Sequence, residues 1–152
     1  MKTLAHARDN AEILQILDRL RPESVGRWGR MSAHQMVCHL ADSFRVVIGR
    51  KHASAATGLL QRTVVKWIAL YLPVPWPRGI GTRPEVDQHL GGTKPIEFAA
   101  DVAEVEALVE LITAPTTRVE WQAHPIFGRM SEAAWRRWAY LHTDHHLRQF
   151  GV

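Results

Sequence analysis

The stretch "GRMSAHQMVCHL" at residues 29–40 marks the start of a helix. Ser32 and Gln35 form the pattern of a capping box, in which a hydroxyl and an amide each bond a backbone N–H group that the helix leaves unpaired. From Met36 onwards apolar residues recur at helical spacing, and His39 stands at the edge of their inward stripe. The stretch therefore predicts a rigidly started helix that carries a histidine towards the protein core.

The last helix is introduced by nearly the same phrase. "FGRMS" at residues 127–131 echoes "WGRMS" at residues 28–32, and in each a methionine before the serine can staple to an apolar residue of the first helical turn. Ser131 is a preferred cap, and Glu132 favours the positive end of the helix dipole. An echo this short is not a structural repeat. We interpret it as one local solution, a helix start with a fixed entry angle, used twice.

Helical patterns recur along the rest of the chain, whereas no credible run of alternating strand residues does. They predict helices at about residues 9–20, where Pro22 stops the helix, and at about 95–113. A further helical stretch at about 57–72 precedes residues 73–95, which hold five of the eight prolines and four of the ten glycines and cannot be regular structure. Irregular segments of this length often carry function. The predicted fold class is all-α.

Length and composition indicate one globular domain over residues 1–152, since 46 % apolar and 22 % charged residues are ordinary values for such a domain. No run approaches the roughly 18 apolar residues that span a bilayer, and residues 1–14 lack the apolar segment of a signal peptide. Cys38 is the single cysteine, which excludes an internal disulfide and suits a reducing compartment. We therefore expect a cytoplasmic protein with no membrane partner.

The charge of the chain does not indicate a nucleic-acid partner. The formal net charge is +4, but arginines and lysines are scattered among acidic residues instead of forming a basic block. The nearest approach to a cluster is Arg129, Arg136 and Arg137, whose helical spacing is typical of a solvated face. Because a footprint of clustered basic residues is missing, we expect no nucleic-acid binding.

Three of the nine histidines lie in the last eleven residues, at His142, His145 and His146. Residues four apart on a helix are neighbours, so His142 and His146 can aim at one point, as the two histidines of a zinc-binding H-E-x-x-H helix do. They share a face with Trp135 and Trp138, which we expect to be buried. Two buried imidazoles must stay neutral or find a partner, and a metal ion would use both lone pairs. The alternative is that the helix dipole merely favours histidine near this end.

A stable metal site needs a third protein ligand, and His39 is the best candidate because it lies on the inward stripe of the other well-started helix. Spacing alone leaves His145 open in place of His146. The remaining histidines stand near ends, turns or loops: His6, His34, His52, His89 and His124. We interpret Cys38 as a small buried residue instead of a nucleophile. Asp42 either orients the His39 ring or is a surface acid.

Two motifs resemble those of the DinB-like (YfiT-like) proteins. "MSAHQMVCHLADSFR" at 31–45 resembles their first motif, which carries a metal-binding histidine, and "LHTDHHLRQ" at 141–149 resembles their H-x-x-H-H-R-x-Q motif. "WPRGIGT" at 76–82, "HPIFGRMS" at 124–131 and "HHLRQFG" at 145–151 are similar to the branch called domain of unknown function 1569. The resemblance implies a four-helix bundle with a long crossover connection.

The likeness covers roughly residues 28–152, and residues 57–95 have the length for the implied crossover. By position in the motifs, His39, His142 and His146 would be the ligands of a divalent metal ion, zinc or nickel, that keeps open coordination positions. The chain departs from the motif at Leu147, where relatives have an arginine. Relatives include thiol-dependent transferases and a mycothiol-dependent isomerase, so the resemblance implies a low-molecular-weight thiol or another small molecule as partner.

Three functions follow as hypotheses. The first is a metal-dependent thiol (S-)transferase or hydrolase, in which the ion activates a thiol or water, His145 shuttles a proton and the loop with Trp76 and His89 acts as a lid. The second is a non-catalytic metal- or ligand-binding stress protein, favoured by the lack of an obvious general base besides the histidines. The third is a structural helical bundle or a homodimer in which the histidines bind nothing. Imidazole ligands suit zinc, nickel, iron and copper alike.

Overall fold

The computed structural model describes residues 1–56, 58–115 and 117–152. These residues form helices and loops without a β-strand, apart from an isolated bridge between His124 and Gly128. A π-helical turn (Gln61–Val65) leads into α3, and a 3₁₀ turn (Pro84–Val86) lies between α3 and α4. The α-helices are α1 (Ala7–Leu17), α2 (Ala33–Val47), α3 (Lys66–Tyr71), α4 (Phe98–Thr113) and α5 (Glu132–Gln149). The predicted all-helical class is confirmed.

Two predicted helix limits differ from the observed ones. α1 ends at Leu17 instead of residue 20, because the Leu20 N–H bonds the Leu17 carbonyl in a tighter turn ahead of the proline. α4 begins after Glu97, whose carboxylate accepts hydrogen bonds from the first-turn N–H groups and so sets the start three residues later than expected. The start predicted at Thr57 for the third helical stretch lies outside the described residues.

Both well-started helices have the local structure that the echoing phrases predict. The Ser32 hydroxyl accepts from the Gln35 N–H at 3.1 Å and the Gln35 side-chain oxygen accepts from the Ser32 N–H at 2.9 Å, which completes the capping box of α2. Ser131 caps α5. In both phrases the glycine is left-handed, with φ of 82° at Gly29 and 67° at Gly128, a conformation that glycine adopts without strain. Each phrase thus places a left-handed glycine three residues before the serine that caps the helix.

α2 lies at the centre of the molecule and contacts α4, α5 and the 3₁₀ turn, while α1 and α3 pack against α5. The apolar core takes side chains from every helix, among them Ile13, Phe44, Leu70, Ile112 and Trp135. Because α2 and α5 are in direct contact, side chains on their facing sides can meet. None of the described helices is long and apolar enough to cross a membrane.

The capping box of α2 can be tested by Ser32→Ala. Removal of the hydroxyl leaves the Gln35 N–H without its acceptor, so we expect the free energy of unfolding to fall by about 1 kcal/mol. Ser32→Asp, which retains an acceptor at the cap, should keep nearly the wild-type value. Urea unfolding followed by circular dichroism measures both. Equal stability of the alanine variant and the wild type would show that the cap does not stabilise the helix.

Candidate metal centre

His39 of α2 meets His142 and His146 of α5 in one cluster. The ring centroids lie 5.2 Å apart for His39 and His142, 4.8 Å for His39 and His146, and 4.7 Å for His142 and His146. One possible ligand atom from each residue lies within 4.8 Å of the other two. The structure thus brings together the three histidines that the sequence singled out. His145 lies outside this cluster, its ring beside that of Trp28 with centroids 5.8 Å apart.

Two of the three rings are oriented by hydrogen bonds that determine which nitrogen carries the proton. His39 Nδ1 lies 2.8 Å from the Val86 carbonyl, which can only accept, so Nδ1 donates. His146 Nδ1 lies 2.9 Å from Gln149 Oε1. The Gln149 amide nitrogen donates to the Trp28 carbonyl at 2.7 Å, which fixes Oε1 as the acceptor for His146. Both rings therefore keep the Nε2 lone pair for another partner.

His142 is held by packing instead of a hydrogen bond. Its ring stacks on Trp138 with centroids 4.5 Å apart and planes 14° from parallel. Its Nδ1 atom is shielded from solvent and finds no hydrogen-bond partner among the residues the structure describes. A buried polar atom without a partner costs about 1–3 kcal/mol, so such an atom calls for an explanation. Coordination of His142 Nδ1 to a cation is one such explanation.

Electrostatics keep the cluster neutral. Burial lowers the pKa of His39, and burial together with the neighbouring imidazoles lowers the pKa of His142 and His146 well below the usual value of 6.5. Neutral imidazoles are the form that binds metal ions, and three of them are a ligand set that zinc, nickel and related divalent ions accept while keeping further coordination positions open. The residues present therefore fit a divalent metal ion.

Asp42 is neither a surface acid nor the hydrogen-bond partner of His39. Its side chain is fully buried and accepts from Arg45 at 2.7 Å and from Lys51 at 2.8 Å. It also accepts from the backbone N–H and the hydroxyl of Thr93, at 2.8 and 2.6 Å. The sequence did not reveal this because Thr93 lies 51 positions away in the chain.

Asp42 still contributes to the orientation of His39, through the segment that precedes α4. The carboxylate bonds Thr93 and the Gln88 side chain, both in that segment. The same segment supplies the Val86 carbonyl that accepts from the His39 ring. Asp42 thus holds this segment against α2, and the Val86 carbonyl of the segment orients the His39 ring. Asp42 is a positioning residue for the cluster.

A cavity of about 770 Å³ opens over the three histidines. Most of its lining is apolar and aromatic, including Trp28, Met31, Ile68, Trp76, Ile126 and Trp138. His145 and His89 also line it. Trp76 is anchored by a 2.8 Å hydrogen bond from its indole N–H to the Ala69 carbonyl, and its ring centroid lies 6.2 Å from that of His142. The proline-rich loop therefore covers part of the site. Movement of this loop as a lid stays a prediction.

Several residues of the site were missed by sequence reasoning. Gln149 could have been found, since it follows His146 by three residues on the same helical face. The Val86 carbonyl could not, because a backbone acceptor leaves no signal in the sequence. His124 lies at a turn, as predicted, but its burial was missed: its ring lies 5.1 Å from that of Trp138 between centroids, and burial lowers its pKa to about 3. Its Nδ1 accepts from two backbone N–H groups, so it supports the turn before α5.

A family of known sequences matches the chain over nearly its whole length. The sequence model of a family described as protein of unknown function (DUF1569) matches residues 2–151. The matched range includes α1 as well as the later segment that carries the two histidine motifs. No curated protein and no solved structure matches the chain.

The role of Asp42 is tested by Asp42→Asn, which keeps the shape but leaves Arg45 and Lys51 without a carboxylate. Because both cations keep some contact with water, we expect the free energy of unfolding at pH 7 to fall by about 2 kcal/mol, less than for a fully enclosed pair. Asp18→Asn, at an exposed carboxylate, should change little. Urea unfolding of both variants measures the difference.

Comparison of the wild type with Asp42→Asn also gives a pH dependence of stability. Burial raises the pKa of Asp42, but hydrogen bonds from Lys51, Thr93 and Arg45 outweigh it and hold the pKa below 3.8. A carboxylate with a lowered pKa stabilises the fold above its unfolded-state pKa and loses this effect as the pH falls through its folded-state pKa. The stability difference between wild type and Asp42→Asn should therefore shrink below about pH 3.8. A difference that is constant across acidic pH would contradict the assignment.

Proposed function

We propose that this chain, which belongs to the DUF1569 protein family, binds a divalent metal ion, zinc or nickel, through His39, His142 and His146 and uses it in a transfer or hydrolysis reaction on a small molecule. The observation that carries the proposal is the cluster itself: two imidazoles with their Nδ1 protons already bonded and a third with an unpartnered buried nitrogen. A bound ion of this kind supplies a Lewis acid that lowers the pKa of a thiol or of water.

We further propose that the architecture is that of the DinB-like four-helix bundle. In this interpretation α1, α2, α4 and α5 are the four helices, and the segment from α2 to α4 is the long crossover. Two features support it: the two motifs that resemble DinB-like sequences lie on α2 and α5, and their histidines face each other across the contact between these helices. The whole described chain would then form one domain around one site.

The cavity favours an enzyme over a metal store. Its volume of about 770 Å³ lies in the range of small-molecule sites, and its apolar lining excludes water from the molecule it holds. Trp28 and Trp76 offer aromatic surfaces to the bound molecule, and His145 lies between them, 5.8 and 6.1 Å from their ring centroids. We propose that His145 contacts the substrate and exchanges a proton with it. A low-molecular-weight thiol is the proposed partner.

A non-catalytic metal- or ligand-binding protein is the second candidate. The observation that favours it is that the cavity has few carboxylates. Of the described lining residues only Asp87 is acidic, and its side chain accepts a hydrogen bond from the His89 backbone N–H. Asp87 is thus the one candidate for a general base other than imidazole in the described lining. This candidate predicts metal binding without turnover.

Metal binding is tested by His142→Ala with His89→Ala as the matched control, since His89 lines the cavity outside the cluster. Loss of a ligand should weaken metal binding at this site by more than about 100-fold and remove one bound ion per chain. This exceeds the 10- to 100-fold loss that is typical when a residue hydrogen-bonded to a ligand is replaced. The control should bind as the wild type does. Elemental analysis of protein purified without a His-tag and titration calorimetry with zinc and nickel measure both. Unchanged binding in His142→Ala would refute the site.

Catalysis is tested with metal-loaded protein, low-molecular-weight thiols and a panel of electrophiles and hydrolysable esters. We expect turnover that depends on the ion, and His145→Gln should reduce it by at least about tenfold while keeping the ion, because the ring exchanges protons without coordinating. If His145→Gln loses the ion, His145 is a ligand. Metal binding with no turnover in any assay would support the non-catalytic candidate.

A further inference from the structure

A second group of metal-binding side chains lies between α2 and α4. It consists of His34 and Cys38, one turn apart on α2, and Asp101 in the first turn of α4. Asp101 Oδ2 lies 2.6 Å from His34 Nε2 and 3.6 Å from Cys38 Sγ, and one possible ligand atom of each residue lies within 4.8 Å of the other two. The reaction proposed above uses none of these residues.

We propose that His34, Cys38 and Asp101 form a second metal site, which binds a thiophilic divalent cation of the zinc class. An imidazole nitrogen, a thiolate sulfur and a carboxylate oxygen are the three kinds of ligand that zinc takes in proteins, and three ligands leave one position for water. The site is independent of the first, because Cys38 contacts α4 whereas the adjacent His39 meets the histidines of α5.

The two separations measured from Asp101 are close to those around such an ion. Zinc–sulfur and zinc–oxygen bonds of tetrahedral geometry place sulfur and oxygen about 3.6 Å apart, which is close to the separation of Cys38 Sγ and Asp101 Oδ2. The same geometry places nitrogen and oxygen about 3.4 Å apart. The distance between His34 Nε2 and Asp101 Oδ2, 2.6 Å in the hydrogen bond, therefore has to increase by about 0.8 Å. The side chains of His34 and Asp101 are 20 % and 18 % exposed, so solvent reaches both ligands.

The hydrogen bonds of the group converge on the Asp101 carboxylate. Asp101 Oδ2 receives three donors at once, the His34 ring, the Cys38 thiol and the Ile96 N–H. The Cys38 thiol donates to Asp101, so it is protonated in the absence of an ion. On binding, the S–H bond of Cys38 breaks, a metal–sulfur bond forms and that proton leaves to solvent. The His34 Nε2 proton also leaves to solvent while Nδ1 takes one up, so that the neutral ring presents the Nε2 lone pair to the ion. The ion then links α2 to α4 and stabilises the fold.

Cobalt(II) titration of the full chain tests the proposal. Cys38 is the single cysteine, so a thiolate-to-cobalt charge-transfer band can come only from this site and never from the three-histidine cluster. We expect wild type to show the band, Cys38→Ser to lose it, and His34→Gln and Asp101→Asn to shift its midpoint to at least about tenfold higher cobalt. His142→Ala, which lacks the first site, should keep the band.

Each result separates this site from the first one. Absence of the band in wild type at cobalt concentrations that fill the three-histidine cluster would overturn the second site and leave the first untouched. A band that His34→Gln and Asp101→Asn do not weaken would show a lone thiolate and would also overturn it. Circular dichroism confirms that each variant is folded. Should Cys38→Ser fail to fold, His34→Gln and Asp101→Asn still test the site.

Discussion

A buried imidazole has to satisfy two ring nitrogens, and this requirement governs the centre of the molecule. Where water is excluded, each nitrogen needs a donor, an acceptor or a cation, or the protein loses stability. His39 and His146 each satisfy one nitrogen with an acceptor from the protein, which leaves one lone pair per ring. His142 has a shielded nitrogen with no partner in the described part of the chain. A cation shared by the three rings satisfies the requirement at a single point.

The acceptors that orient these rings connect the site to the rest of the fold. Gln149 belongs to α5 and is held in turn by the Trp28 carbonyl, next to the turn that starts α2. Val86 belongs to the segment before α4, which the buried carboxylate of Asp42 attaches to α2. The ring orientations are therefore set from both helices of the pair. Movement of either helix start or of the connecting segment changes the cluster.

α2 presents different chemistry on its two sides. Towards α5 it places His39 in an all-nitrogen cluster below a large apolar cavity, an arrangement suited to holding a small molecule next to an ion. Towards α4 it places His34 and Cys38 beside Asp101, a mixed nitrogen, sulfur and oxygen group. The first arrangement is suited to chemistry and the second to linking two helices. One central helix thus serves both the site and the fold.

The sequence by itself determined the features that depend on residues within one or two helical turns. These are the capping box at Ser32, the echoed starts of α2 and α5, and the alignment of His142 with His146, because short-range hydrogen bonds and the helical repeat place them without help from distant residues. It also indicated His39, through the inward stripe of α2. Pattern alone could not choose between His145 and His146, and only the packing of α5 against α2 brought His146 to the cluster.

Only the tertiary structure decided the features that join distant parts of the chain. The Val86 carbonyl reaches His39 across 47 positions, and Asp101 reaches His34 across 67. A backbone acceptor is not marked by any residue type. The sequence also does not show whether an acidic residue such as Asp42 is exposed to solvent or buried among cationic side chains. Such contacts arise when helices pack, since burial removes the water that would otherwise satisfy these groups.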